Sequence, residues 1–260
     1  MTNWHYNKSF NNGFHEVFSY DKNPIMDLFA KYYKKDISDE DIMCDGFYSK
    51  LDSLLLYSMI REKKFKNILE IGGGGTTNII LQALRKNKSL STLTNHSLEL
   101  QNSIHDIPDH VECSFFQGDL MDTFENNPTD LDQIDFCFID GSHHAYFAIF
   151  YFYEILRKLP TGTIIHIHDI QNPEVLQSEH DAGHIPLHPV YCPHPTPTDE
   201  IYALYFLIKE HKQEFKVICN TNDLLYNEID NLKYIQGVER GMYRHGGVTA
   251  PAESLWLERV

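Results

Sequence analysis

The sequence predicts an α/β protein built on a doubly wound, mostly parallel seven-stranded sheet with helices on both faces. Three observations carry that expectation. Short apolar runs recur at regular intervals, helical spacing fills the gaps between them, and the runs tend to stop at a glycine or an acid. Strands that alternate with helices join in parallel through right-handed crossovers, and sheets of this kind bind ligands beyond the carboxyl ends of their strands.

Residues 1–45 are rich in Asn, Tyr, Lys and Asp with weak periodicity, and are expected to form a cap or lid on a main domain of residues 46–260. Trp4, Tyr6, Phe14, Phe18 and Tyr20 give that cap an aromatic side, suited to a sheet edge or an oligomer contact. From Leu51 the spacing of Leu51, Leu54, Leu55 and Met59 is helical, and Arg61 to Lys66 place positive charge at the helix's carboxyl end. Asn67 to Ile71 reads as the first strand. It runs into Gly72-Gly73-Gly74-Gly75, after which Ile79, Ile80, Ala83 and Leu84 resume helical spacing.

Leu90 to Thr94 reads as a second strand, Ser97 to Ile104 as a short helix, and Val111 to Phe116 as a third strand turned by Gly118-Asp119. Ile134 to Ile139 is the strongest strand and closes at Asp140-Gly141. Tyr146 to Leu159 is apolar almost all round, which predicts a heavily buried helix ended by Pro160-Thr161-Gly162. Thr163 to Ile167 forms a fifth strand ending at Asp169.

Residues 171–198 break the rhythm. Pro173, Pro186, Pro189, Pro193, Pro195 and Pro197 forbid a long helix or central strand, which marks an insertion loop. His180, His184 and His188 recur every fourth residue and His194 follows, but the prolines interrupt any helical zinc face. The loop reads instead as a cover over a substrate, with Tyr191, His194 and Glu200 as candidates for hydroxyl recognition. Asp199 to His211 then reads as a helix, Phe215 to Cys219 as a strand and Ser254 to Arg259 as the final strand.

Composition narrows the function classes. Lys and Arg total 22 against 37 Asp and Glu, a net charge of −15, with no basic stripe for a phosphate backbone, so nucleic acid is not an expected partner. No apolar run approaches the ~18 residues of a membrane span, and Met1 to Phe18 lacks a basic segment followed by an apolar one. A cytoplasmic protein without membrane contact is expected. Cys44, Cys113, Cys137, Cys192 and Cys219 are widely spaced without a CxxC, which reads as reduced thiols. A homo-oligomer is compatible with all of this.

The glycine turn fails the dinucleotide fingerprint, because its third glycine would fall on Thr77 or Asn78, and no Gly-Lys-Ser/Thr follows for a Walker loop. What remains is an acid, Glu70, beside backbone that a ligand can approach closely, which suits a cationic ligand better than a pyrophosphate. Asp140 and Asp169 should converge at adjacent strand ends, where two carboxylates repel unless a hard divalent cation lies between them. His168 can complete a half-shell of three ligands with open positions left for substrate, while His166 reads as a core histidine. The bland alternatives are a tight turn at Gly72 to Gly75, a helix cap at Asp119, and a cap on the following helix at Asp140.

The run Leu69-Glu70-Ile71-Gly72-Gly73-Gly74-Gly75-Thr76 resembles the first motif of the class I S-adenosylmethionine-dependent methyltransferases, whose fold is Rossmann-like. The resemblance spans roughly Tyr48 to Asp169 plus the final strand. It implies that Glu70, Gly72, Gly73, Gly74 and Thr76 surround the methionine portion of S-adenosyl-L-methionine, with Asp140 at its edge and Asp119 accepting from the adenine amino group. The family usually carries an acid at the end of the second strand. Here Thr94-Asn95-His96 stands instead, which passes the ribose contact to Asn95.

The paired motifs FIDGSHH and HIHD resemble the metal-dependent branch, which includes the macrolide-sugar O-methyltransferases and the cephalosporin-hydroxylase-like family. That resemblance implies Asp140 and Asp169 as metal ligands and His143 as general base. His168 stands where the branch has an acid, which widens the metal from magnesium to manganese or iron. The implied activity is methyl transfer to a hydroxyl of a small polyhydroxylated acceptor, a sugar or nucleotide-linked sugar, with a catechol as close rival. Two other classes compete: a metal-dependent oxidoreductase or hydroxylase, which needs an electron donor, and a non-catalytic binding subunit, which turns nothing over.

Overall fold

Pro24 in its first turn starts helix α1 (Asn23–Tyr32), which the polar composition of this stretch does not announce and which buries Ile25, Phe29 and Tyr32. The computed structural model describes residues 18–37, 48–98, 104, 106–172, 198–235, 238 and 252–260. Trp4, Tyr6, Phe14, Cys44, Cys192, the helix expected around 99–103 and the histidines of the 171–198 loop lie outside the described residues.

Helix α2 (Lys50–Lys63) is capped by Ser49, whose side chain accepts from Asp52 N, and is buried at every position from Leu51 to Ile60. Strand β1 (Asn67–Ile71), helix α3 (Gly75–Asn87), strands β2 (Ser91–Ser97) and β3 (Val111–Gln117), and helix α4 (Leu120–Asn126) follow. Ser97, expected to open a helix, belongs to β2. Strand β4 (Phe136–Ile139) begins two residues later than its sequence pattern, because Asp135 turns its carboxylate to cap Lys66 N and Asn67 N.

Helix α5 (Ala145–Glu154) gives way to a 3₁₀ turn at Leu156–Lys158. It buries Phe147, Ala148, Tyr151 and Phe152 but exposes Tyr146, Ile149 and Tyr153, so the expected all-round burial is halved. Strand β5 (Ile164–Ile167), helix α6 (Thr198–Glu210), strand β6 (Phe215–Asn220), helix α7 (Thr221–Leu232) and strand β7 (Leu255–Arg259) complete the described elements. α7 was not anticipated; Asn220 caps it by accepting from Asp223 N.

The strands form one sheet in the order β3-β2-β1-β4-β5-β7-β6, parallel except for β7, which runs antiparallel to both β5 and β6. This is the doubly wound, seven-stranded α/β arrangement that the sequence predicts. Period-2 alternation divides the interior into two cores. Ile68, Phe136, Phe138, Ile164 and Trp256 pack with α1, α2 and α3, while Leu69, Ile71, Cys137, Ile139, Ile165, Ile167 and Leu257 pack with α5 and α6. Cys113, Cys137 and Cys219 are free thiols. Among the described residues, no helix is long and apolar enough to cross a membrane.

Candidate active site

The hydrogen-bond ladder continues past the ends of the central strands and carries the site with it. Gly72 N donates to His96 O at 2.8 Å, Asp140 N to Ile71 O at 2.8 Å, and His168 N to Ile139 O at 2.9 Å. The chain therefore leaves β1, β4 and β5 in register, with Gly72, Asp140 and His168 side by side. Gly72 has φ +84°, and a Cβ there would stand 1.7 Å from Asp140 O. The glycine turn and the β4 end are in contact at a place where only glycine fits.

Behind the turn, Glu70 is fully buried and accepts from Thr76 Oγ1 at 3.2 Å, from Thr77 Oγ1 at 2.9 Å and from Asn95 Nδ2 at 2.7 Å. Burial pushes its carboxyl up to about 7, although these three donors pull the other way. Asn95 Nδ2 also donates to Gly72 O at 2.7 Å, so the amide nitrogen expected at a ribose is spent bracing the loop from within. Asn95 Oδ1 is left as a buried acceptor without a partner. Gly73 is closed in from the same side, since a Cβ there would meet Asn95 Nδ2 at 2.7 Å. Gly74, at φ 141°, is the N-cap residue of α3.

Asp119 stands at the end of β3, where its Oδ1 accepts from Met121 N at 2.9 Å as the N-cap of α4. The cap reading of this residue is the contact the structure contains. Nearby His96 is fully buried, stacked on Phe116 with ring centroids 4.9 Å apart, and its Nε2 lies 3.1 Å from Thr129 Oγ1. Burial depresses its pKa to about 4.

Asp140, His143 and Asp169 come together: each offers a ligand atom, and these atoms all lie within 4.8 Å of one another. Asp169 holds the left-handed backbone region at φ 57°, which short acidic residues tolerate better than most. His143 Nε2 is 3.1 Å from Asp169 Oδ2 and its Nδ1 is 3.0 Å from Glu200 Oε2. Burial would depress this imidazole, but Glu200, Asp169 and Asp140 outweigh it and hold its pKa above the usual value.

His168, expected as the third ligand, stands beside both carboxylates. It is buried, its ring lies 4.6 Å from that of Tyr48, and its Nδ1 approaches Asp140 Oδ2 and Asp169 Oδ1 from the interior at 3.4 Å each. Burial works against its charge, yet the Asp169 and Asp140 carboxylates raise its pKa to about 10. His143 joins the two carboxylates on their more exposed side, and His168 stands against the same pair on the buried side. His166 is a core residue stacked on Trp256 at 4.2 Å, with Nε2 3.4 Å from Tyr48 OH and Nδ1 without a partner.

Three buried acids surround the triangle. Glu200 on α6 also receives Tyr151 OH at 3.0 Å, and burial raises its carboxyl in spite of His143 and Tyr151. Glu253 lies behind Asp169, and burial followed by that neighbouring carboxylate pushes it well above the ordinary range. Asp52 on α2 accepts from Ser49 Oγ at 2.6 Å, Thr221 Oγ1 at 2.5 Å and Glu253 N at 3.0 Å. Sequence reasoning placed Glu200 among hydroxyl-recognising candidates and missed its partnership with His143. A signal was present: Glu200 lies on the helical face that carries Leu204 and Leu207, where an acid needs a partner.

Comparison with known proteins falls on this same stretch. Residues 69–170 match a family described as "Methyltransferase domain". The matched stretch runs from within β1 through the turn after β5, so it includes Glu70, the glycine turn, Asp140, His143 and Asp169, and leaves Glu200 and Glu253 outside. No curated protein matches the chain. Among solved structures, an O-methyltransferase from Bacillus cereus in complex with SAH is 20% identical, covering 80% of this chain and 82% of that one with a TM-score of 0.43. A putative caffeoyl-CoA O-methyltransferase from Staphylococcus aureus is 18% identical, covering 81% and 91% with a TM-score of 0.45. The MycE methyltransferase of the mycinamycin biosynthetic pathway, in complex with Mg and SAH, is 12% identical and covers 93% and 55% with a TM-score of 0.39.

Proposed function

We propose that the chain is an S-adenosylmethionine- and divalent-metal-dependent O-methyltransferase acting on a small polyhydroxylated acceptor, a sugar or nucleotide-linked sugar. The observation that supports this best is the contact between Gly72 and Asp140, which joins the glycine turn of the methyltransferase domain to the Asp140–His143–Asp169 triangle. Two carboxylates suit a divalent ion of the magnesium-to-manganese range, and His168, with Nδ1 3.4 Å from each, would widen the choice to iron. The turn suits the cofactor because its backbone at Gly72 and Gly73 is partly open and free of side chains.

When bound, the cofactor supplies a methyl group activated on a sulfonium, and the ion supplies a Lewis acid that lowers the acceptor hydroxyl's pKa. Asp140 and Asp169 would hold the ion. His143 faces the same point through Nε2 and takes the acceptor's proton there, a step typically worth about 10²- to 10⁴-fold. Glu70 and Asn95 brace the turn so that the cofactor's place is fixed relative to Asp140, which aligns acceptor oxygen, methyl carbon and sulfur. A vicinal diol fits because two neighbouring oxygens can fill the open positions beside the two acids.

The test is transfer of labelled methyl from S-adenosylmethionine to UDP-glucose and to catechol, each with manganese and with EDTA. Oxygen methylation that EDTA abolishes supports the reading. Metal-independent transfer to nitrogen, or product formation that requires a reduced nicotinamide instead of the sulfonium, defeats it.

A further inference from the structure

We propose that the end of the molecule opposite the strand ends bearing Asp140 and Asp169 docks on an anionic lipid surface, through a cluster of lysines and the exposed side chain of Leu90. This surface is separate from the site above, and its test does not depend on the function assigned there.

Half of the chain's 22 Lys and Arg lie between residues 31 and 88, and all of these except Lys50 sit where α1, α2 and α3 end and the chain turns into β1 and β2. Side-chain contacts draw the three helix ends together. Arg61 on α2 donates to Asp36, just beyond α1, at 2.6 Å and also to Asn87 on α3, whose Nδ2 donates back to Ile60 O at 2.9 Å. The acids at this end are engaged: Asp36 by Arg61, Glu62 by Lys31 at 2.5 Å and Asp106 by Arg85 at 3.2 Å. Lys34, Lys35, Lys63, Lys64, Lys86 and Lys88 are exposed and form no ion pair among the described residues.

Three of these lysines hold a backbone conformation that glycine adopts more easily. Lys34, Lys64 and Lys88 have φ 60°, 54° and 55°, and the last two cap α2 and α3. The caps are backbone bonds, from Lys64 N to Ile60 O at 3.0 Å and from Lys88 N to Leu84 O at 3.1 Å. Nor does the helix dipole need these side chains, because Arg61 and Lys63, and Arg85 and Lys86, already occupy the last turns. The ammonium groups therefore stand on strained backbone without a local use.

Leu90, between Lys88 and β2, is 82% exposed. Ile107 is also exposed and is held at the same end by the Arg85–Asp106 pair and by the bond from Ser91 N to His110 O at 3.2 Å. Lysines around an aliphatic tip suit a membrane interface, where the ammonium groups meet headgroups and the tip enters the acyl boundary. Nucleic acid is served less well, since its readers use arginine forks and exposed aromatic platforms. The net charge of −15 does not forbid the contact, because the five residues of β1 separate the two ends by about 16 Å, roughly twice the screening length at physiological salt. No single stretch of sequence carries the cluster, so it departs from the expectation of a chain without membrane contact.

The test is co-sedimentation of the full chain with vesicles of phosphatidylcholine alone and with about 30% phosphatidylserine, in about 0.1 M and about 0.5 M KCl. Binding is expected only to the anionic vesicles and is weakened by the higher salt. Lys34→Gly/Lys64→Gly/Lys88→Gly removes three charges and relieves the backbone, so it should unfold at or above the wild-type temperature while vesicle affinity falls about 100-fold, about fivefold per lysine. Leu90→Ser should weaken binding about tenfold, and Lys22→Gln, at the other end of α1, should bind as wild type. Equal binding to both vesicle types, no binding at low salt, or wild-type affinity in the triple variant or in Leu90→Ser overturns the proposal. Tighter binding to a single-stranded RNA than to the anionic vesicles, lost in the triple variant, overturns it as well and gives the cluster to a nucleic acid.

Discussion

His143 Nε2 lies 3.1 Å from Asp169 Oδ2 on the accessible side of the strand ends, while His168 Nδ1 meets the same aspartate from the buried side at 3.4 Å. The two histidines divide the labour. His168 neutralises the carboxylate pair from within, and His143 is the imidazole that a small ligand can reach.

If the two aspartates hold a cation as proposed, replacing either should abolish its binding. Asp140→Asn and Asp169→Asn are each expected to weaken Mn²⁺ binding by more than the about 10- to 100-fold typical of an outer partner, with S-adenosylmethionine affinity retained. His143→Gln should keep Mn²⁺ affinity within about tenfold while methyl transfer falls about 10²- to 10⁴-fold. Paramagnetic resonance of bound Mn²⁺ and calorimetry with the cofactor check both. Loss of Mn²⁺ in His143→Gln equal to that in the aspartate variants would make His143 a ligand rather than the base.

Gly72→Ala should damage fold and site together. The new methyl meets Asp140 O at 1.7 Å and the residue must hold φ +84°, so the turn and the β4 end have to separate. A loss of more than about 3 kcal/mol is expected from backbone strain and displaced packing. Urea unfolding measures it, and wild-type stability in this variant would contradict the close approach.

Acid should destabilise the protein through His96. Its folded pKa is about 4, below the ordinary 6.5, so the unfolded chain binds one more proton than the folded chain between those values. Stability is complete above about pH 6.5 and is lost as pH falls toward 4. His96→Phe removes that proton uptake. Unfolding free energies of the two proteins at pH 7, 5.5 and 4.5 should show the shallower slope in the variant.

Glu70 acts in the opposite direction. Its folded pKa of about 7 exceeds the ordinary 4.5, so the folded state holds the proton more tightly and stability declines as pH rises through that window. Glu70→Gln should differ little from wild type near pH 5 and become the more stable protein above pH 7, by on the order of 3 kcal/mol. Equal pH slopes for the two proteins would show that Glu70 titrates normally.

Much of this architecture was legible because the strands end in punctuation. Gly72, Asp140 and Asp169 each follow a short apolar run, and parallel pairing of neighbouring runs brings their ends together without further information. The difference in exposure between His143 and His168 was not legible. Alternation assigns His168 to the face of His166, but whether that face is open depends on Tyr48, which packs over both rings. The direction of His143 depends on a turn at Gly141, where a Cβ would meet Phe147 Cζ at 2.6 Å. α7 escaped notice because TNDLLYNEIDNL reads as polar, although Leu224, Leu225 and Leu232 lie on its buried side. Aromatic composition likewise could not say that Tyr146, Ile149 and Tyr153 of α5 would face outward.

Strand β7 enters the sheet between β5 and β6, with Ile167 opposite Leu255 and Ile170 N donating to Glu253 O at 2.7 Å. The turn that bears Asp169 is thus buttressed by residues translated more than eighty positions later. A chain in which residues 253–259 are not docked would still hold Asp140, His143 and Asp169, yet would lack the scaffold that holds one corner of that triangle. The triangle should therefore assemble abruptly, when residues 253–259 dock against β5, and cutting the chain ahead of them should disorder the Asp169 turn without touching Asp140, His143 or Asp169 themselves.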